Sequence, residues 1–100
     1  MIRFRDNLYL SPSISKVNRV KWKIRTGRGQ FNIYLIVFNH DSGKLEYFHN
    51  ALFKQKALFK RDTDVVGLAT DEAECIDIIS NLLNEAYEKL GEYDIGRYLE

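Results

Sequence analysis

The chain is poor in the residues that build special frameworks: 100 residues include one cysteine, one proline and two histidines. A lone Cys75 can form neither an internal disulfide nor a cysteine-based zinc site. No apolar run reaches the roughly 18 residues of a membrane span. The opening Met1-Ile2-Arg3-Phe4-Arg5-Asp6 lacks the apolar stretch of a signal peptide, and no asparagine stands in an Asn-x-Ser/Thr acceptor site. We therefore expect a cytoplasmic protein with no membrane association.

What is present is apolar enough to fold. Hydrophobic residues make up 45% of the chain and aromatic ones 13%, too much for a disordered segment and enough to close one modest core, so residues 1–100 read as a single domain. The net charge of +1 hides a split, because residues 1–61 carry 13 Lys and Arg against 3 acids, whereas residues 62–100 carry 2 against 11. Such a division fits a basic half that meets a polyanion, two halves that face each other, or copies that associate through opposite faces.

The alternation of Val20, Trp22 and Ile24 with Arg19, Lys21, Lys23 and Arg25 predicts a half-buried strand over 17–25. Thr26-Gly27-Arg28-Gly29 then reads as a hairpin turn into a second strand over 30–38, with Ile24 opposite Phe31, Trp22 opposite Ile33 and Val20 opposite Leu35. A five-residue loop, Asn39 to Gly43, leads to a third strand over 44–53 and places Phe38 opposite Lys44 and Leu35 opposite Tyr47. Residues 51–63, where Ala-Leu-Phe-Lys occurs twice, fit strand, helix or loop.

Asp64 to Ala69 forms a compact apolar run, and we expect a buried fourth strand there. A helix over 71–90 follows, capped by Thr70 or Asp71 with Glu74 completing a capping box, and stopped by Gly91. Its predicted apolar stripe is Cys75, Ile76, Ile79, Leu82, Leu83, Ala86, Tyr87 and Leu90, with Ile78 at the edge. A last turn from Asp94 through Tyr98 and Leu99 packs on the sheet or on a partner. Residues 1–10 fit an edge strand, and Ser11-Pro12 the start of a helical turn.

The expected fold is thus α+β: an antiparallel four-stranded meander with one long C-terminal helix packed on one face. Its core would hold Val20, Trp22, Ile24, Ile33, Leu35, Val37, Leu45, Tyr47, Ile76, Ile79, Leu83 and Leu90. Through Asn7-Leu8-Tyr9-Leu10, Lys21-Trp22-Lys23 and Val66-Gly67-Leu68-Ala69 with the acid-rich helix start, nearly the whole chain resembles small uncharacterised proteins of Gram-positive anaerobic bacteria. That resemblance implies a bacterial cytosolic protein and no particular activity.

Sites of chemistry are few. His40 and His49 stand too far apart on the expected ladder to share one metal ion with Asp41, and His49 is expected on the core face. Cys75 sits among Asp71, Glu72 and Glu74, which disfavour a thiolate. Asp62 and Asp64 offer too few oxygen ligands for a cation. Gly27-Arg28-Gly29 lacks the spacing of a phosphate loop. No catalytic residue, metal, cofactor or small-molecule ligand is predicted.

One constellation stands out. The expected register puts Arg19, Lys21, Lys23 and Arg25 beside Tyr34, Ile36, Phe38 and Phe48 on the sheet's second face. Such a surface suits a protein interface, and equally a single-stranded nucleic acid held by cations and stacking rings. The expectation is a non-catalytic protein-interaction module or small homodimer, with single-stranded nucleic-acid binding as the alternative.

Overall fold

A computed structural model describes residues 2–26, 32–50 and 63–99. The elements are β1 (Ile2–Leu10), α1 (Val17–Thr26), β2 (Tyr34–Asn39), β3 (Lys44–His49), β4 (Thr63–Ala69), α2 (Glu72–Leu90) and α3 (Ile95–Tyr98). The α+β class holds, but the sheet is mixed rather than an antiparallel meander. Its order is β1-β4-β2-β3, with β1 parallel to β4 and the other two pairings antiparallel.

The largest correction concerns residues 17–25, which are helical rather than extended. The positions Val20, Trp22 and Ile24 satisfy a strand, yet Ile14, Val17, Val20 and Ile24 satisfy a helix, and it is this longer stripe that packs on the sheet. Val20 N–H bonds the Lys16 carbonyl at 3.1 Å, closing the first turn. Trp22, expected in the core, is 54% exposed. With 17–26 helical, the proposed pairing of Val20, Trp22 and Ile24 with the second strand falls away. The expected turn at Gly27-Arg28 and the undecided segment 51–62 lie outside the described residues.

The β2–β3 hairpin is real, but its register slips by one from the expected pairing. Asn39 pairs with Lys44, Phe38 with Leu45 and Leu35 with Phe48. Asn39 itself shortens the loop: its Oδ1 accepts Asp41 N–H at 2.9 Å and Ser42 N–H at 3.2 Å, while its carbonyl accepts Gly43 N–H at 2.8 Å. Gly43 supplies the positive φ of 71° that closes the turn. Because strand side chains alternate, one step of register moves Leu45 and Tyr47 to the same face as Ile36 and Phe38.

Helices therefore cover both faces of the sheet. One core gathers Ile36, Phe38, Val66, Ala69, Cys75, Ile78, Leu82, Ala86 and Ile95 beneath α2 and α3. The other gathers Ile24, Ile33, Leu35, Val37, Val65 and Leu68 beneath α1, with Phe4, Leu8, Ile14, Val17, Val20 and Phe48 at its margin. The second face, expected to carry an open interaction surface, is closed by this chain's own α1. Residues 2–10 form the edge strand that the sequence allowed, while Ser11-Pro12 makes a turn, with Ile14 N–H bonded to the Ser11 carbonyl at 3.0 Å.

The long helix follows expectation in extent and capping. Asp71 is its N-cap, accepting Glu74 N–H at 2.8 Å, and Gly91 ends it at φ 73°. The stripe is rotated, however. Ile78 is buried, and Ile76 and Tyr87 are 54% and 50% exposed. Asp94 caps α3 by accepting Arg97 N–H at 3.1 Å, and Ile95, Tyr98 and Leu99 join the core beneath α2.

Candidate polyanion-binding face

The stripe that seats α1 leaves its other side to solvent. Lys16, just before the helix, is exposed, as are Asn18, Arg19 and Trp22 on the helix itself. Residues 17–26 hold Arg19, Lys21, Lys23 and Arg25 and no acid; the Arg25 side chain is outside the described part. Lys21 and Lys23 are half-buried on the flanks. The Lys21 ammonium lies 5.7 Å from the centre of the Phe4 ring on β1, a cation–π contact that ties this lysine to the sheet edge.

The sheet's other side carries the opposite sign. Residues 72–90 contain Glu72, Glu74, Asp77, Glu85 and Glu88 against Lys89 alone. Part of the charge split along the sequence thus appears as helices of opposite sign on the two faces of the sheet.

The structure places the four basic residues on one helix and moves Tyr34, Ile36 and Phe38 to the opposite face of the sheet, leaving Phe48 on the α1 side. Ile36 is fully buried and Phe38 nearly so, both beneath α2. Tyr34 lies on that same side, edge-on to Tyr47 and to His49 at 6.2 and 5.2 Å between ring centres. Burial first, then the charges of Glu72 and its neighbours, raise the Tyr34 phenol above its ordinary pKa. Phe48 is half-buried against the α1 core. The aromatic group that accompanies the cations is instead Trp22. A window widened upstream to Ile14 and Val17 shows the helical stripe that turns Trp22 outward.

The other candidates resolve individually. His49, expected on the core face, pairs with Tyr34 and is half-buried, and its Nε2 lies 3.2 Å from Asn32 Oδ1. His40 contacts Asp64 through Nε2 and sets its ring edge-on to Phe38 at 4.8 Å. Cys75 is fully buried. Burial, then Asp71, Glu72 and Glu74, push its thiol up to about 11. Among the described residues no three His, Cys, Asp or Glu side chains converge as metal ligands would. No described helix is long and apolar enough to cross a membrane. Compared with known proteins, the chain matches no family model, no curated protein and no solved structure.

Proposed function

We propose that this chain is a non-catalytic binding module whose working surface is the outward side of α1, and that this surface holds a single-stranded nucleic acid. The observation that carries the proposal is Trp22, 54% exposed on a helix whose charged residues are all basic. Exposing an indole forfeits burial, and a flat ring flanked by cations offers a base a stacking surface while the cations take phosphates. Lys16 and Arg19 contribute charge directly, and the acids of α2 lie behind the sheet, where they do not repel the strand.

Fluorescence anisotropy of a short labelled oligonucleotide tests this. Three phosphate contacts give a slope of log affinity on log salt of about −2 for a single strand. Replacing Lys16 and Arg19 with Ala should flatten that slope by about 1.4. Trp22→Ala should weaken binding by about 1–3 kcal/mol and leave the slope unchanged. Absence of binding at low salt would refute the proposal.

A second reading, self-association, draws on the complementary charges of α1 and α2. Both sheet faces are occupied by the chain's own helices, so the contact would run from α1 of one copy to α2 of the next. That heterologous arrangement builds rings or open chains rather than a two-fold dimer. Light scattering distinguishes it, since assemblies of this kind would grow with protein concentration and dissolve with added salt.

A further inference from the structure

We infer that the cleft beneath α3, remote from the outward side of α1, binds a small organic anion: an acidic head on a compact apolar body. The cleft encloses about 540 Å³, within the range of small-molecule sites. Phe38, Val66 and Leu99 give it apolar walls, and Arg5, His40 and Asp64 supply the polar groups.

The polar groups are unequally satisfied. Both oxygens of Asp64 are engaged, Oδ1 by Arg3 Nε at 2.7 Å and Oδ2 by His40 Nε2. The Asp64 charge is therefore spent on neighbours other than Arg5. Arg5 donates from Nη1 to the Leu99 carbonyl at 2.7 Å, and its Nε is buried with no hydrogen-bond partner. Among the described residues Arg5 has no carboxylate partner. A guanidinium whose Nη1 is occupied retains the side-on pair Nε and Nη2, the fork that grips a carboxylate or phosphate with two parallel bonds. A buried donor left unpaired is costly, and an anion seated in the cleft removes that cost. The adjacent apolar walls favour a ligand with a ring or short alkyl body over a bare inorganic ion.

The test is titration of the full chain with phenylacetate, phenyl phosphate and the neutral phenylacetamide, followed by amide chemical shifts. The expected result is saturable shifts with at least one anion, centred on residues 5, 38–40, 64–66 and 96–99, with the amide at least tenfold weaker. Whichever anion binds more tightly identifies the head group. Arg5→Gln should weaken that anion about ten- to a hundredfold, the loss expected for a charge-assisted pair. Should Arg5→Gln unfold, His40→Ala, at a solvent-exposed ring, provides the second variant and should weaken binding several-fold by releasing Asp64 to repel the anion. Equal binding of the amide, shifts centred on α1, or no saturable shift with either anion would overturn the inference.

Discussion

Ser13 donates a hydrogen bond from Oγ to Glu74 Oε2 at 3.1 Å, joining residues 61 apart in the sequence. The other carboxylate oxygen, Oε1, accepts the Thr70 N–H at 2.9 Å and also the Thr70 hydroxyl. Glu74 thus links the start of α2 to the turn after β1, which sends the chain toward α1. A residue expected only to complete a capping box also fastens the two helical layers at one corner of the sheet.

This latch predicts a pH dependence. Hydrogen bonds from Thr70, then from Ser11 and Ser13, hold the Glu74 carboxyl at about 2, against an ordinary value of 4.5. A carboxyl with a depressed folded-state pKa contributes its stability above the unfolded value and loses it as pH falls toward the folded one. Urea midpoints of the wild type should therefore fall more steeply than those of Glu74→Gln between about pH 4.5 and 2. Parallel curves would show that the carboxylate is not held in this way.

Gly67 should resist enlargement. It lies between Tyr9 of β1 and Ile36 of β2, and a Cβ there would sit 2.8 Å from the Tyr9 carbonyl oxygen and 3.2 Å from Ile36 Cδ1. Backbone cannot yield as a flexible side chain can, so Gly67→Ala should cost about 1–3 kcal/mol, measured as a lower urea midpoint. An unchanged midpoint would mean that β1 does not approach β4 so closely.

The rotation of α2 is measurable through Ile78 and Ile76. Ile78 is 8% exposed and Ile76 54%. Ile78→Ala should destabilise by about 2–5 kcal/mol through cavity formation. Ile76→Ala should stay within about 0.5 kcal/mol of wild type. The reverse order would restore the stripe expected from the sequence.

Local signals made some parts of the fold legible. Asp71, Glu74 and Gly91 mark both ends of α2, because caps act within a turn or two. Asp64 to Ala69 stood out because β4 pairs on both sides, with β1 and with β2, and every residue from Val65 to Ala69 is buried. The sheet order was not legible. Parallel pairing of β1 with β4 joins Ile2 to Thr63, and no pattern within either strand specifies so distant a neighbour. Around Trp22, two periods share Val20 and Ile24, and only the packing of Ile14 and Val17 chooses between them. The candidate surface changed for the same reason: the cations were recognisable, but their aromatic companion depended on that choice.

Trp22 is the chain's single tryptophan, so its fluorescence reports on α1 alone. An indole 54% exposed one helical turn from Arg19, on a helix whose charged residues are all basic, should emit at the red wavelengths of a hydrated ring and be readily quenched by solutes. The sign of the surroundings then separates two quenchers of opposite charge. Cations near the ring concentrate iodide and repel caesium, so iodide should quench more strongly at low ionic strength. That gap should narrow as salt shortens the screening length from about 30 Å at 0.01 M to about 10 Å at 0.1 M. Arg19→Ala should narrow it at low salt as well, without shifting the emission. A blue-shifted emission, or equal quenching by the two ions at low salt, would place Trp22 in the interior and return residues 17–25 to a half-buried strand.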